Sequence, residues 1–224
     1  MMAGRRSFVI AIDGPAASGK GTLARALAAR LGFSCMDTGA LYRAVALAVL
    51  NNGGDPEKEA DALAGLDVVQ DLLDSGDFSI LSDAALRRDD VAQWASKVAG
   101  IPSIRAGLLD VQCQFALKAG RLGGAILDGR DIGTVVCPDA DLKLFVTADL
   151  EIRAERRMKE LQSKGIAATY KAVLAEMRAR DVRDQARDVA PLRPADDAIV
   201  LDSSSLSADQ ALEKALLLVE KRRL

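Results

Sequence analysis

The stretch from Ile12 to Thr22 reads IDGPAASGKGT and lies between an apolar run and a helical pattern. The apolar run Phe8–Ile12 predicts a buried strand. Leucines that recur every four residues after the stretch predict a helix over Gly19–Leu31. A GxxxxGK spacing that follows a strand and opens a helix is the context of a phosphate-binding loop. The sequence therefore predicts an α/β protein with such a loop.

Each part of this loop has a physical reason to bind an anion. Gly14 and Gly19 allow the backbone to turn its N–H groups inward. The helix N-terminus adds partial positive charge, and Lys20 adds a full one. A hydroxyl from Ser18 or Thr22 can help to hold a phosphate or Mg²⁺. The alternative is a glycine-rich turn with one surface lysine. The predicted nucleotide-binding residues are Gly14, Pro15, Ala16, Ala17, Ser18, Gly19, Lys20, Gly21 and Thr22.

Strands and helices alternate along most of the chain, which predicts a central parallel sheet covered on both faces. Further strands are predicted over 33–36, 124–127, 142–146 and 198–201, and further helices over 41–50, 149–165, 169–188 and 207–222. The last helix has a capping box formed by Ser207 and Gln210. The alternation weakens over about 62–98, which we interpret as an insertion with a possible hairpin in Asp67–Leu81. The chain 1–224 is otherwise expected to be one domain.

The composition excludes several chemistries. The chain has 224 residues and no histidine, so a Ser-His-Asp triad, a Cys-His dyad and a His general base are excluded. Its three cysteines form no CxxC pair and are interpreted as buried thiols. Lys and Arg total 30 against 32 Asp and Glu, and aromatic residues make up 4%, so nucleic acid is not an expected partner. No apolar run is long enough to span a membrane, and a cytoplasmic monomer is expected.

Three further segments carry polar residues near predicted strand ends. Thr38–Arg43 and Asp128–Asp131 each follow a strand, where ligands of open α/β sheets bind. Arg180, Asp184 and Arg187 have the spacing of one helix face. Each segment has a structural alternative. Arg43 could be a solvated helix residue, the two aspartates of 128–131 could stabilise a turn, and the third set could be an exposed salt-bridged face.

The chain resembles the bacterial cytidylate kinases, which are nucleoside monophosphate kinases with a P-loop three-layer fold. The matching segments are IDGPAASGKGT, DTGALYRAVALA, ASKVAGIPSIR, DGRDIGTVVCPDADLKLFVTA, RAERRMKEL, RARDVRDQARDVAPL and IVLDSSSLS, which together run from residue 12 to 207. The GKGT ending is the form of the loop that these kinases carry. The loop departs from the more frequent GPSGAGK pattern, since one glycine is replaced. The resemblance implies a monophosphate-binding insert, about 62–98, and a mobile lid, about 153–183.

The resemblance also implies roles for residues of this chain. The acceptor phosphate is expected to be held by Thr38, Arg43, Arg105 and Arg130, with Arg187 nearby. The base is expected to be read by Ser96, Arg180, Asp184 and Arg187, and the sugar contacted by Asp131. The implied reaction is transfer of the γ-phosphoryl group of MgATP to CMP, and to dCMP, with ATP and Mg²⁺ as donor and cofactor.

Physical chemistry favours cytosine in this assignment. A carboxylate such as Asp184 accepts a hydrogen bond from the N4 amine of cytosine, whereas uracil presents an acceptor there. Because the nucleophile is already an anionic phosphate oxygen, no strong general base is required, and the main obstacle is charge repulsion. Lys20, Arg130, Arg153, Arg157 and Asp128 are the expected catalytic residues, with Arg157 favoured over Arg153 as the lid arginine.

Two assignments have open alternatives. Thr22 and Asp13 are expected to help hold Mg²⁺, Asp13 through water, as could Asp128; either carboxylate could instead stabilise a turn. The eight arginines over 153–193 could form a lid or a solvated amphipathic face. The rival functions are a related phosphotransferase that uses UMP, AMP or shikimate, and a nucleotide-switch ATPase. The second lacks support, since a Walker-B Asp-Glu pair and an Asn-Lys-x-Asp guanine motif are both missing from the sequence.

Overall fold

The computed structural model describes residues 8–77, 79–120 and 123–223. These residues form two compact units. One unit comprises the chain up to Met36 together with the chain from Cys113 onward, and it contains the sheet. The other unit, Asp37–Gln112, is helical.

The sheet has five strands in the order β2-β3-β1-β4-β5. The strands are β1 (Val9–Asp13), β2 (Ser34–Asp37), β3 (Ala125–Gly129), β4 (Leu142–Thr147) and β5 (Ile199–Asp202). The pairs β1–β3, β1–β4 and β4–β5 are parallel. The register places Asp13 opposite Gly129 on one side and Phe145 on the other. The expected α/β fold with a central parallel sheet is confirmed. Because β1 is central, the loop that follows it emerges at the middle of the carboxyl edge.

Four helices belong to the sheet-containing unit. They are α1 (Lys20–Leu31), α6 (Leu150–Ser163), α7 (Tyr170–Gln185) and α8 (Ala208–Arg223). Apolar side chains of α1 and α8, such as Leu27 and Ala215, pack with Ile10, Ile126 and Leu144 of the sheet in one buried cluster. Burial of this kind contributes about 25 cal/mol for each Å² of apolar surface. The cluster therefore supports the sheet beneath the loop that joins β1 to α1.

The N-termini of two of these helices are capped by side chains. Ser207 Oγ accepts from the N–H of Gln210 at 3.2 Å, and Gln210 Oε1 accepts from the N–H of Ser207 at 2.9 Å, so the predicted capping box is confirmed. Thr169 caps α7 by accepting from the N–H of Ala172. The helix ends at Gln185, earlier than the expected boundary near Asp188.

The helical unit contains α2 (Thr38–Asn51), α3 (Glu59–Asp74), α4 (Asp89–Val98) and, as far as Gln112, α5 (Pro102–Gly120). The hairpin expected within Asp67–Leu81 is wrong, since α3 continues to Asp74 and short 3₁₀ turns follow from Ser79; Phe78 lies outside the described residues. The buried residues of α3 include Ala62, Leu66, Val69 and Leu73, which share one helical face. This helical period, rather than strand alternation, decides the structure of the segment.

Candidate phosphate-binding and active site

The loop between β1 and α1 has the backbone that its sequence predicts. Gly14 has φ 149°, and a Cβ at this position would overlap the carbonyl oxygen of Val146 on β4. Gly19 has φ 88° and directly precedes the first residue of α1. Ala17 also has a positive φ, 57°, which is uncommon for a residue with a side chain. The surroundings of the loop therefore hold a conformation that glycine would adopt more readily.

Lys20 lies where a loop lysine is expected. It is the first residue of α1 and is buried. Its Nζ donates to the carbonyl oxygen of Pro15 at 3.4 Å and lies 3.8 Å from Oδ1 of Asp128. Curling back over its own loop, the ammonium group can neutralise an anion bound by the backbone N–H groups.

The two loop hydroxyls have different surroundings. Ser18 Oγ is buried and has no hydrogen-bond partner among the residues that the structure describes. Thr22 is exposed on the first turn of α1. A buried hydroxyl with no protein partner has a free donor and free acceptor sites, so its chemistry fits a phosphate oxygen or a metal-bound water.

Asp13 ties the central strand to the segment after β3. Its two carboxylate oxygens accept the N–H groups of Ile132 and Gly133 at 2.8 and 2.7 Å. These amides open a short π-helical turn over Ile132–Val136, directly after Asp131. Of the two interpretations of Asp13, this geometry favours the turn-stabilising carboxylate. Burial raises the pKa of Asp13 to about 7, although the two backbone hydrogen bonds lower it.

We expect Asp13→Asn to destabilise the protein by about 1–3 kcal/mol, because the amide nitrogen would face a backbone N–H that has lost its acceptor. The raised pKa adds a pH dependence. Between pH 4 and 7 the folded protein retains a proton that the unfolded chain releases, so the unfolding free energy of the wild type falls as pH rises. The Asn side chain has no such proton, so the difference in unfolding free energy between the wild type and Asp13→Asn should shrink as the pH rises towards 7. Urea denaturation of both proteins from pH 5 to 8 in EDTA measures this; parallel profiles would contradict it.

The end of β3 supplies three charged residues. Asp128 and Asp131 are buried, and Asp128 Oδ2 approaches Gly21 of the loop so closely that a Cβ there would lie 2.9 Å from it. Arg130 donates to the carbonyl oxygen of Gly129 at 3.0 Å, and its Nε lies 3.4 Å from Oδ2 of Asp184. The segment thus connects to the loop on one side and to α7 on the other.

The predicted base-reading set on α7 is not an exposed salt-bridged face. Asp184 is 1% exposed. Its Oδ1 accepts from Nη2 of Arg187 at 2.6 Å, while its Oδ2 faces Arg130. Arg187 lies just beyond the end of α7, and its side chain is almost fully buried. Asp184 therefore holds two of the guanidinium groups that were assigned to the acceptor.

Arg153 on α6 is not placed as a lid arginine would be. Its Nε, Nη1 and Nη2 donate to the carbonyl oxygens of Ala148 and Ala16 and to Asp181, and the residue is 5% exposed. A guanidinium held beneath the loop in this way does not suit a group that closes over a transferring phosphoryl. Arg157 is more exposed and pairs with Glu160 at 2.8 Å.

Arg156 supports the phosphate loop, a role that the sequence did not predict. Its guanidinium donates to Oγ and to the carbonyl oxygen of Ser203, at 3.0 and 2.6 Å. Ser203 Oγ in turn donates to the carbonyl oxygen of Ser18 at 2.8 Å. An ideal Cβ on Gly19 would lie 4.0 Å from Nη1 of Arg156. Arg156 of α6 and Ser203, just after β5, thus support the phosphate loop. The serine run at 203–205, in a segment that resembles the family, was the sequence signal for this contact.

The helical unit carries the other four predicted acceptor residues. Thr38 is the first residue of α2 and is buried, and Arg43 pairs with Asp37 at 2.7 Å. Ser96 is buried on α4. Arg105, also buried, donates to the carbonyl oxygen of Ala99 at 3.1 Å and stacks over the ring of Tyr42 at 5.5 Å. Within this unit, the guanidinium groups of Arg43 and Arg105 are therefore each oriented by a neighbouring side chain or carbonyl.

The described residues contain neither a preformed cluster of metal ligands nor a membrane-spanning helix. Within 8–77, 79–120 and 123–223, no group of three or more acidic or cysteine side chains could hold a metal ion by itself. Magnesium in kinases is bound by few protein groups together with substrate phosphates, so the loop hydroxyls and Asp128 still fit it. In the part of the chain that the structure describes, no helix has the length and apolarity needed to cross a membrane.

A parallel sheet with a glycine-rich loop after its central strand, and a lysine folded back over that loop, defines a phosphate-loop α/β protein. The sequence model of the cytidylate kinase family matches residues 10–221. A cytidylate kinase from Paramagnetospirillum magneticum is 57% identical over 97% of this chain and 100% of its own length. A cytidylate kinase from Methylocella silvestris is 54% identical over 95% of this chain and 94% of its own. The chain belongs to the cytidylate kinase family, and it is an enzyme of the kinase class.

Among solved structures, an uncharacterized protein from Eubacterium ventriosum matches with a TM-score of 0.52. The two sequences are 15% identical, and the match covers 96% of this chain and 99% of that protein. At this identity the likeness concerns the fold alone.

Proposed function

We propose that this chain transfers the γ-phosphoryl group of MgATP to the 5′-phosphate of CMP, giving CDP and ADP, and that it also accepts dCMP. The observation that carries this proposal is the loop geometry around Lys20 in a chain that belongs to the cytidylate kinase family. The close relatives are named for the same activity. The reaction would supply pyrimidine nucleoside diphosphates.

On the donor side, groups of this chain bind the phosphates of ATP and neutralise their charge. The N–H groups of the loop and the α1 N-terminus bind phosphate oxygens, and Lys20 adds positive charge beside them. Magnesium, when bound, neutralises charge on the phosphates; Ser18, Thr22 and Asp128 are the residues that would hold it or its waters. Asp13 fits this role less well, since both of its oxygens accept backbone hydrogen bonds.

On the acceptor side, the resemblance assigns the phosphate to Thr38, Arg43, Arg105, Arg130 and Arg187. Fixed cations of this kind lower the cost of bringing two anions together in line, and they require no reorganisation during transfer. Ser96, Arg180 and Asp184 would read the base, and Asp131 would contact the sugar. Arg157, whose side chain is 20% exposed, is the proposed lid arginine. Closure of a segment within the predicted lid, about 153–183, would exclude water and suppress ATP hydrolysis.

A coupled assay of ADP release tests the proposal across CMP, dCMP, UMP, AMP, GMP and shikimate. We expect release to depend on CMP or dCMP, with CDP or dCDP formed in equal amount. ADP release that is unaffected by any nucleoside monophosphate would instead indicate an ATPase. A preference for UMP, AMP or shikimate would contradict the assigned substrate while leaving the kinase class intact.

A further inference from the structure

Arg153 connects three separate parts of the sheet-containing unit. Its guanidinium donates to the carbonyl oxygen of Ala148 at 2.8 Å, to that of Ala16 in the phosphate loop at 3.3 Å, and to Oδ2 of Asp181 on α7 at 2.7 Å. The side chain is 6% exposed, and that of Asp181 is 15% exposed. An ion pair with so little solvent around it is screened less than a surface pair, and losing one partner leaves a costly buried charge.

The same two helices also contact the loop through apolar groups. Ala154 and Leu161 of α6 and Val173 and Met177 of α7 form a small buried cluster. Ala16 and Ala17 of the phosphate loop pack against it. Because Ala17 has a positive φ, the cluster helps to hold a backbone conformation that a free chain would avoid. The loop therefore rests on the α6–α7 pair through methyl packing as well as through Arg153.

Asp181 joins this support to the residues assigned to the acceptor. It follows Arg180 directly and precedes Asp184 by three residues, so Asp181 and Asp184 lie one turn apart on α7. Asp184 in turn holds Arg130 and Arg187. A continuous series of hydrogen bonds thus runs from the loop carbonyl of Ala16 to the helix that carries the base-reading residues.

We propose that Arg153 is a positioning residue which, with Asp181, links the donor-nucleotide loop to α7, so that the loop and the base-reading helix hold their binding geometries together. Neither residue needs to touch a substrate for this role. The inference rests on the proposed function for the identity of the two nucleotides. It assigns Asp181 a positioning role that the sequence motifs did not indicate.

The test is Asp181→Asn, which keeps the side-chain shape and removes the charge that faces Arg153. We expect KM for ATP and KM for CMP both to rise about three- to tenfold, as for the loss of a coupling of about 1 kcal/mol. Arg153→Lys, whose compact ammonium lacks the planar guanidinium that spans these three separate acceptors, should behave similarly. In the double variant the two KM values should rise no further than in the more impaired single variant, because both changes break the same link.

Asp197→Asn is the matched control. Asp197 pairs with Lys143 at 2.7 Å in the same unit, so this variant breaks an ion pair of equal length whose partners lie on β4 and just before β5. It should leave both KM values unchanged. If Asp181→Asn only lowers the melting temperature or the fraction of active enzyme, the two residues stabilise the fold and the inference is overturned. A change in KM for one substrate alone overturns the link as well.

The failure of the proposed function is distinguishable from the failure of this inference. A wild-type protein that forms no CDP would contradict the proposed function. Calorimetry with a non-hydrolysable ATP analogue would then test whether Asp181 positions the phosphate loop. Asp181→Asn should still weaken binding of the analogue about three- to tenfold, the same factor as expected for KM. Unchanged affinity for the analogue overturns it.

Discussion

Replacing Lys20 with Ala is expected to lower kcat by about 10²- to 10³-fold, the loss seen when one preorganised charge-stabilising group is removed from an active site. The ammonium group is held beside the loop by the carbonyl oxygen of Pro15 and by Asp128, so solvent cannot supply an equivalent positive charge at that position. Removing the lysine also leaves the Asp128 carboxylate next to an incoming polyphosphate. The repulsion adds to the loss.

Steady-state kinetics with ATP and CMP measures this effect. Lys118→Ala is the control, since Lys118 is an exposed lysine on α5, away from the loop sequence. Lys20→Arg retains the positive charge but has a larger, planar head, and it should restore part of the activity at most. Full activity of Lys20→Ala in a correctly folded protein would refute the phosphate-loop mechanism.

The second large effect concerns Asp184. Its replacement with Ala leaves the nearly buried guanidinium group of Arg187 and that of Arg130 without their carboxylate. Removing one partner of a buried ion pair costs about 3–5 kcal/mol. We expect kcat/KM for CMP to fall by at least about 150-fold, which corresponds to about 3 kcal/mol, the lower end of that range. UMP activity should fall too, because both arginines are assigned to the acceptor phosphate that all nucleotides share.

The ratio of the two activities separates the two roles of Asp184. If the carboxylate also accepts the N4 amine of cytosine, CMP should lose about 1–3 kcal/mol more than UMP, so its preference over UMP should fall by about 5- to 150-fold. Equal losses for CMP and UMP would mean that Asp184 organises the arginines without reading the base. Asp184→Asn, which preserves the shape, shows whether charge or packing accounts for the change; circular dichroism and melting temperature verify that each variant folds.

The local elements were predictable where their determinants are close in sequence. The capping box of Ser207 and Gln210 and the strand before Gly14 both depend on residues within a few positions of one another. The segment 67–81 was misinterpreted as a hairpin because Ser75-Gly76-Asp77 is a strong turn signal, whereas the turn there simply follows the end of α3. The buried face of that helix has apolar residues at helical spacing, a longer-range signal than the turn.

The sequence by itself determined the loop and its chemistry, since the strand, the two glycines and Lys20 lie within a dozen consecutive residues and their local conformation follows from residue type. Tertiary structure alone decided the partners of the charged side chains. Asp13 binds amides more than a hundred residues away, Arg153 lies beneath the loop, and Asp184 is buried between two arginines. A charged side chain has no intrinsic preference for one distant partner, so burial and the packing of separate elements select the partner it finds.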